Sequence, residues 1–377
     1  MIRAEEVKTK KQMAAFIDFP HELYKGDVNY VPELFIAQRD LLTPGKHPFH
    51  EHSVLQLFLV YENDVVKGRI AAIINNNHNE FNHASDGFFG FFDCVNDKAV
   101  AKLLFKTAAA WLLEKNSSLA SFVGPVNPST NEPCGALIEG FDKPPLAMMT
   151  YNKPYYNELI EACGFKKDID LLAYDIDIRE INDRPVQLEE ALLKRLKSKN
   201  IIIRPINMKD YKNEVAKVKE VYNTAWDKNL GFVPMTDNEF NYLAKDLKMI
   251  VDEKFAMLAE HNGKLIGFGL AIPDINQVLI KIKKGRLLPT GIIKLLLGLK
   301  KINNVRVLAL GVVEGYKKQG IEAVFYASMI RRAKERNMRG GEASWILEHN
   351  ELMKSGIESM NGKVYKKYRI YKKELNA

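Results

Sequence analysis

VRVLALGVVEGYKKQGIEA, residues 305–323, is the stretch that decides the fold. Its first part is rich in β-branched and aliphatic residues, which predicts a strand over residues 305–313. A polar turn follows and leads directly into a predicted helix. Successive backbone N–H groups in such a turn, with the positive end of the helix dipole, form an anion site. Gly320 lets the chain approach a phosphate without a Cβ in the way, and Lys317 and Lys318 add positive charge.

The segments around this turn predict a complete α/β unit in the second half of the chain. Asn262-Gly263 between two apolar runs is a strong hairpin signal. In chain order we expect strands over residues 201–205, 255–259, 265–272, 305–313, 342–347 and 364–371, and helices over 211–226, 320–336 and 350–360.

The first half repeats this order more faintly. We expect strands over residues 55–61, 65–74, 87–94 and 119–123, and helices over 98–115 and 155–163. Such self-similarity is the signature of a tandem repeat. A charged helix candidate over residues 188–198 lies between the halves. We therefore predict domains at 1–180 and 201–377, joined by a linker helix at 181–200.

Length and composition fit this organisation. A chain of 377 residues is long for one domain, since domains have about 100–200 residues. A hydrophobic share of 46% with 27% charged residues is typical of a globular protein. The net charge of +8 suits an anionic ligand. The basic run at 363–369 alternates with aromatic and β-branched residues, which indicates a strand with a solvated face, so we expect no nucleic-acid partner.

Several other classes are not expected. The three cysteines, Cys94, Cys134 and Cys163, form neither a disulfide framework nor a metal-ligand pair, so no metal is predicted. Residues 1–6 lack an apolar signal region. The apolar window at 287–299 is too short to span a bilayer and contains Lys294. A cytoplasmic protein without a membrane span is the expectation.

Two short motifs resemble a known family. Residues 316–323, YKKQGIEA, resemble the acyl-CoA pyrophosphate motif of the GNAT N-acetyltransferase superfamily, Gln/Arg-x-x-Gly-x-Gly/Ala, which lies between the fourth strand and third helix. Residues 342–350, EASWILEHN, resemble the fifth strand and the Asn after it. The resemblance covers about residues 200–375 and is fainter before that. It implies an α/β (α+β) fold with two tandem GNAT-like domains, each a mixed, mostly antiparallel sheet flanked by helices, as in N-myristoyltransferase-like proteins.

The motifs also depart from the family pattern. Lys317 stands where Gln or Arg is usual, and Glu322 where a small residue is usual. Many members have a Tyr after the fifth strand that protonates the leaving thiolate, and Ile357 occupies that place. Tyr365 and Tyr368 come later and could replace it only through a different geometry. The motif therefore supports CoA binding more firmly than catalysis.

The resemblance implies an acyl-CoA co-substrate, acetyl-CoA or another, and direct attack of an amine on the thioester. A backbone N–H at the end of the fourth strand, of Val312 or Val313, would polarise the thioester oxygen. For Asn350, capping of the following helix is an equally good interpretation. The full implied CoA-binding set is Val312, Val313, Lys317, Lys318, Gln319, Gly320, Ile321 and Asn350.

Two acids are candidate bases for the attacking amine. Glu342 is preferred because it precedes an apolar run, and Glu314 is the second candidate. The alternative for both is a solvated or salt-bridged acid. Candidate acceptor contacts are Trp226, Asn229 and Phe232, together with Asn127 and Asn131 of a polar loop. Core packing and an ordered turn are the respective alternatives.

The leading hypothesis is an acyl-CoA-dependent N-acyltransferase acting on a small-molecule or peptide amine, with acetyl transfer as the expected reaction and a degenerate first repeat. One alternative is a non-catalytic binding protein with the GNAT fold. Another is an acyl or aminoacyl transferase with a larger acceptor, which the apolar window at 287–299 would suit. That window equally suits a core helix or a dimer face, so a monomer and a homodimer both remain open.

Overall fold

A computed structural model describes residues 1–182, 184–225 and 232–375. Contacts within it group the chain into two compact units. Unit 1 comprises Met1–Leu171, Asn276–Gly298 and the chain from Lys366 onward, and unit 2 comprises Leu172–Ile275 and Leu299–Tyr365. Whether residues 1–180 and 201–377 fold as separate domains stays a prediction.

The secondary structure follows the order predicted for two repeats. The strands are β1 (Ile2–Glu6), β2 (Val54–Glu62), β3 (Val65–Ile74), β4 (Asp86–Cys94), β5 (Ser121–Gly124), β6 (Ala136–Glu139), β7 (Lys166–Asp177), β8 (Ile201–Pro205), β9 (Ala256–His261), β10 (Lys264–Pro273), β11 (Asn304–Val312), β12 (Gly340–Leu347) and β13 (Lys363–Glu374). The α-helices are α1 (Lys10–Leu23), α2 (Phe35–Leu41), α3 (Asn76–Phe81), α4 (Lys98–Lys115), α5 (Tyr155–Ala162), α6 (Arg184–Lys197), α7 (Tyr211–Ala225), α8 (Asp237–Leu247), α9 (Asn276–Leu279), α10 (Gly291–Leu299), α11 (Ile321–Glu335) and α12 (Glu351–Glu358).

In unit 1 the strands are ordered β1-β2-β3-β4-β5-β13-β7, with β6 also beside β13. The β4–β5 pair is parallel, and β1–β2, β2–β3, β3–β4 and β5–β13 are antiparallel. The core is aromatic: Phe89 packs edge-on against Phe105 and Phe122, at centroid distances of 5.0 and 5.4 Å. Such edge-to-face pairs add to the gain from burying the rings.

In unit 2 the order is β7-β12-β11-β10-β9-β8. The β11–β12 pair is parallel, and β8–β9, β9–β10 and β10–β11 are antiparallel. The predicted hairpin turn is confirmed, since Asn262 and Gly263 have φ of 50° and 80°. Two positive values are what a tight two-residue turn between twisted strands requires.

Helix α6 packs along α11 and holds it in place. Glu189 accepts hydrogen bonds from Ser328 Oγ at 2.8 Å and from Arg331 Nε at 3.0 Å. Burial opposes ionisation of Glu189, but the bonds from Arg331 and Ser328 outweigh it and lower the pKa of that carboxyl. The residues predicted as a linker helix thus include a helix that forms part of unit 2.

The predicted fold class is confirmed: each unit holds a mixed, mostly antiparallel sheet with flanking helices. The last strand shows what the repeat pattern did not predict. Residues from Lys366 onward belong to unit 1, where Tyr371 pairs with Gly124 of β5. In the described part of the chain, no helix has the length and apolar character needed to cross a membrane.

Candidate functional site

A wedge opens between two strands of unit 2. β11 and β12 pair from Asn304 and Gly340 as far as Val307 and Ala343, yet both strands continue beyond that point. The next residue of β11, Leu308, is an extra residue opposite β10, because Val307 pairs with Ala271 and Ala309 with Leu270. Such a bulge bends the strand. We call the space between residues 308–312 of β11 and 344–347 of β12 the unit 2 wedge.

The backbone of β11 turns amide groups toward this wedge. Val313 N–H donates to the carbonyl of Ile266 at 2.9 Å, on the β10 side. Because successive N–H groups of a strand alternate between its two edges, the N–H groups of Val312 and Leu310 lie on the opposite edge, from which β12 has diverged. Of the two amides predicted to polarise a substrate oxygen, the geometry thus favours that of Val312.

A buried ionic cluster lies at the closed end of the wedge. Glu342 is paired in register with Arg306, and their side chains are 1% and 2% exposed, with Arg306 Nε 3.8 Å from Glu342 Oε1. Ser344 Oγ donates to Glu342 Oε1 at 2.5 Å, and the Tyr365 hydroxyl donates to Oε2. Arg306 Nε also donates to Ser344 Oγ at 2.9 Å, and its guanidinium lies 4.9 Å from the centre of the Trp345 ring.

This set of partners compensates the burial of a carboxyl group inside the protein. Removing an ion from water costs several kcal/mol unless an opposite charge and hydrogen bonds compensate. Arg306 supplies the charge, and Ser344 and Tyr365 supply the hydrogen bonds. Glu342 is 1% exposed, whereas Tyr365 is half-buried. Tyr365 is therefore the member through which the cluster can reach a ligand.

The loop between β11 and α11 has the backbone that an anion site needs. Gly320 is the N-cap of α11 with φ of 96°, and no side chain caps the helix there. This left-handed conformation favours glycine. Lys199 Nζ donates to Gln319 Oε1 at 3.3 Å, which brings a third lysine to the loop beside Lys317 and Lys318. The uncapped N–H groups and three cations can attract a phosphate.

Side chains of this loop make two contacts of different strength. The Tyr316 hydroxyl lies 2.8 Å from His261 Nδ1, which ties the loop to the end of β9. Lys317 Nζ lies 2.9 Å from Glu314 Oε2 in an exposed pair. Such surface pairs are weak, so Lys317 can exchange Glu314 for a phosphate.

The equivalent place in unit 1 is closed. β4 and β5 pair up to Phe88 and Val123, after which Val126 N–H donates to the Phe89 carbonyl at 2.8 Å. Asn127 Oδ1 accepts from Phe91 N–H at 2.6 Å. Phe91 lies where β4 has its own extra residue opposite β3, with φ of 49°. The amide at this bulge is thus satisfied by the protein's own side chain.

The N-terminus of α4, the helix that follows β4, is capped by a side chain of the protein itself. Asp97 caps α4, and its Oδ1 accepts from the N–H groups of Ala99 at 2.7 Å and Val100 at 3.3 Å. A carboxylate therefore occupies the position that a phosphate would need. In the first repeat, which the sequence predicts to be degenerate, a side chain of the protein itself thus caps this helix.

The chain is similar to two known bacterial proteins over almost its whole length. No family model matches the chain. Protein YghO of Escherichia coli K12 is 35% identical over 372 residues, which is 97% of this chain and 94% of that protein. The bacterial ceramide synthase of Caulobacter vibrioides is 34% identical over 376 residues, 98% of this chain and 96% of that protein. This chain belongs to their family.

The fold is that of the GNAT N-acetyltransferases in a tandem arrangement. A tandem GNAT protein of the clavulanic acid biosynthesis pathway superposes with a TM-score of 0.59 at 9% identity, covering 100% of this chain and 99% of that one. A GCN5-related N-acetyltransferase from Sphaerobacter thermophilus gives 0.51 at 10% identity, covering 100% and 96%. At such identities the likeness concerns the fold alone.

The structure also places the second candidate base, Glu314, and the remaining predicted CoA contacts, Ile321 and Asn350. Glu314 is exposed, with 70% of its side chain accessible, whereas Ile321 is fully buried in the core. Asn350 Oδ1 accepts from Met353 N–H at 3.2 Å and so caps α12, as the alternative interpretation expected. The roles assigned to these residues in CoA binding and catalysis remain predictions.

The predicted acceptor contacts are spread over both units. Phe232 is buried, with its ring 5.7 Å from that of Tyr222, whereas Trp226 and Asn229 lie outside the described residues. Asn131 N–H donates to Ser129 Oγ at 3.1 Å within the polar loop of unit 1. Their role in acceptor binding stays a prediction.

Sequence reasoning singled out Glu342 but not its buried partners Arg306 and Ser344. One signal was available: Arg306 interrupts an otherwise apolar strand next to a parallel partner, and such strands are buried on both faces. A charge there requires a buried partner.

Ile357, in the place of the family's usual Tyr, is fully buried in the core. Nearby, burial and then the hydrogen bond to Glu358 raise the pKa of Tyr174 to about 12. Among the described residues, no cluster of three or more His, Cys, Asp or Glu side chains suits a metal ion.

Proposed function

We propose that this protein transfers an acyl group from an acyl-CoA to the amine of a long-chain lipid. The observation that carries the proposal is the unit 2 wedge, with Glu342 buried at its closed end and the Gly320 loop at its open end. Unit 1 carries the same strands but closes the equivalent space, so we assign one reaction site to the chain.

The unit 2 wedge suits the pantetheine arm of CoA. This arm is extended and carries amide groups, which can pair with the edge of β11 at Leu310 and Val312 as a further strand would. The phosphates would lie against the N-terminus of α11, near Lys199, Lys317 and Lys318. Val312 N–H would then face the thioester oxygen and stabilise the negative charge that develops on it.

The chemistry is direct acyl transfer. The amine loses a proton and attacks the thioester carbonyl carbon, which forms the C–N bond, and collapse of the tetrahedral adduct breaks the C–S bond. The second amine proton goes to the departing thiolate, so that ammonium and thioester give amide, free thiol and one proton. Glu342 accepts the first proton through the Tyr365 hydroxyl, which hydrogen-bonds to it.

Two observations favour a long-chain acceptor over a small polar amine. One relative of the family is named a ceramide synthase, and a ceramide is an amide between a fatty acid and a long-chain amino alcohol. Unit 2 also contains a pocket among α7, α8 and the sheet whose lining is almost wholly apolar. It would accept a small apolar group, and its walls include Ile206, Val215, Val218, Phe240, Leu247 and Phe268.

The test is a transfer assay with purified protein. Acetyl-, octanoyl- and palmitoyl-CoA are each supplied with a saturated long-chain 2-amino-1,3-diol, with free thiol and amide product measured. We expect amide with palmitoyl-CoA and little with acetyl-CoA, which would correct the acetyl transfer expected from the sequence. Binding of acyl-CoA without amide formation from any amine would favour the non-catalytic alternative. Absence of acyl-CoA binding would overturn the proposal.

Variants of the two candidate bases sharpen this test. Glu342→Gln should lower kcat by about 10²–10⁴-fold, the usual contribution of a positioned base. Glu314→Gln removes the other predicted acid at an exposed position and should leave kcat unchanged. Tyr365→Phe keeps the ring and removes the hydroxyl, so that a loss of activity with an unchanged melting temperature separates a chemical role from a structural one.

A further inference from the structure

Helix α10 of unit 1 exposes apolar side chains to solvent. Ile293, Leu296 and Leu297 are 56%, 60% and 67% exposed, and Ile292 is 37% exposed. Leu288, shortly before the helix, is 80% exposed. We call Leu288, Ile292, Ile293, Leu296 and Leu297 the α10 patch. Contiguous apolar surface of this kind marks an interaction site more often than isolated apolar residues do.

The orientation of α10 is built in by two glycines. A Cβ on Gly298 would lie 2.6 Å from Val278 Cγ1, and one on Gly291 would lie 2.4 Å from the Arg286 carbonyl oxygen. The two glycines lie on nearly the same side of the helix, since seven residues are close to two turns. The smallest residues therefore face the protein and the largest apolar ones face outward, and rotating the helix would place leucine or isoleucine where only glycine fits.

The segment before α10 is anchored firmly within unit 1. Arg286 makes two hydrogen bonds to the Asp18 carboxylate, at 2.7 and 3.0 Å, and its guanidinium lies 4.2 Å from the centre of the Phe35 ring. Lys284 Nζ donates to Glu22 at 2.6 Å. The α10 patch thus belongs to a helix held at a fixed place on the surface.

Charge indicates what covers the α10 patch. Residues 275–313 contain no Asp or Glu, while Lys281, Lys283 and Lys294 are exposed. Two further lysines, at 300 and 301, follow the helix in the sequence. Lys294 lies on the helix beside the apolar residues, and its long side chain can keep its charge in water while they are buried. Basic residues beside an apolar helix face favour anionic lipid over an uncharged protein surface.

We propose that the α10 patch is an interfacial anchor, which inserts into the headgroup region of an anionic phospholipid bilayer while the chain remains on one side of it. This goes beyond the proposed function, because it concerns a different surface and does not depend on catalysis. It would place the enzyme on the surface where a long-chain amine is dissolved.

The experiment is vesicle co-sedimentation with the full-length protein. Vesicles of phosphatidylcholine alone are compared with vesicles that also contain phosphatidylglycerol, at low and high salt. We expect binding to the anionic vesicles that weakens with salt. The double variant Leu296→Glu/Leu297→Glu should bind at least about tenfold more weakly, because two exposed leucines no longer enter the bilayer. Lys294→Gln should weaken binding about fivefold.

The matched control is Leu352→Glu on α12, where the leucine is 80% exposed and lies outside the α10 patch. This variant should bind vesicles like the unaltered protein. Failure of the unaltered protein to bind anionic vesicles, or equal loss with Leu352→Glu, would overturn the proposal. Sedimentation velocity without lipid provides the remaining test: a dimer that dissociates in the double variant would assign the α10 patch to a second copy of the chain and overturn the bilayer assignment.

Discussion

The same strand pair occurs in both units with opposite consequences. In unit 2, the pairing of β11 and β12 ends at Val307, and the Val312 amide lies on the edge of β11 that faces the unit 2 wedge. In unit 1, β4 and β5 also end their pairing early, but Asn127 accepts the hydrogen bond of the Phe91 amide at the bulge. The fold therefore supplies the strand geometry, and in unit 1 the Val126 backbone and the Asn127 side chain together occupy the edge of β4 beyond the paired region.

The helices after these strands differ in the same way. α4 begins with Asp97, whose carboxylate binds two N–H groups of the first turn. α11 begins with Gly320, which has no side chain to offer. One helix has an internal anion and the other can accept an external one. Within a shared fold, we expect a ligand site where the protein does not cap its own backbone donors with a side chain.

The largest expected effect on acyl-CoA affinity concerns Gly320. In Gly320→Val a Cβ would lie 2.9 Å from Leu192 Cδ2 at a φ of 96°, which a β-branched residue avoids. If the loop shifts and two charge-assisted hydrogen bonds to phosphate are lost, acyl-CoA affinity falls about 100-fold. Calorimetry with palmitoyl-CoA measures this. Gly315→Ala, at a φ of 89° with open space around it, is the control and should change affinity far less. Unchanged affinity in Gly320→Val would place the CoA site elsewhere.

The largest effects on stability are expected at the two buried arginine–carboxylate pairs, one in each unit. Arg306→Met leaves Glu342 buried without its cation, and Arg69→Met does the same to Asp93, which Arg69 Nε contacts at 2.7 Å. Each should cost about 3–5 kcal/mol of unfolding free energy in denaturant titration. The fraction of the Arg306→Met variant that is folded should also lose acyl-transfer activity, whereas the folded fraction of Arg69→Met should keep it. Equal loss of activity in both would show that the two pairs have the same, purely structural role.

Asn127→Ala tests what blocks the space beyond the β4–β5 pairing in unit 1. It leaves the Phe91 N–H without the side-chain oxygen that now accepts from it, which should cost about 1–3 kcal/mol of unfolding free energy. The stoichiometry of acyl-CoA binding should stay at one, because the backbone of Val126 still lies against β4. If calorimetry detects a second acyl-CoA bound per chain, the Asn127 side chain alone prevents acyl-CoA binding in unit 1. It would also argue against a direct role for Asn127 in acceptor binding.

The smallest effect is expected for Asp97→Ala. Loss of an N-cap costs about 1 kcal/mol, visible as a small fall in melting temperature. Acyl-CoA affinity should not change, because the anion site that matters is at α11. A measurable change in affinity would show that the N-terminus of α4 takes part in binding.

Local chemistry made much of the fold predictable. Asn262-Gly263 specifies a hairpin turn because both residues tolerate positive φ, and Gly320 fits the start of α11 for the same reason. Glu342 could be singled out because it precedes an apolar strand. The partners of Glu342 could not be found in this way, since Arg306 and Tyr365 lie on other strands and meet it only across the sheet.

The sequence by itself determined the features that depend on neighbours along the chain. These are the repeated order of strands and helices, the turns, and the loop at Gly320. Tertiary structure decided three things: that Tyr365 bonds to Glu342, that Asn127 satisfies the bulge of β4, and that the last part of β13 completes the sheet of unit 1. The physical reason is that a hydrogen bond or strand pair forms wherever folding brings a donor to an acceptor. Periodicity and turn chemistry describe only the few residues on either side.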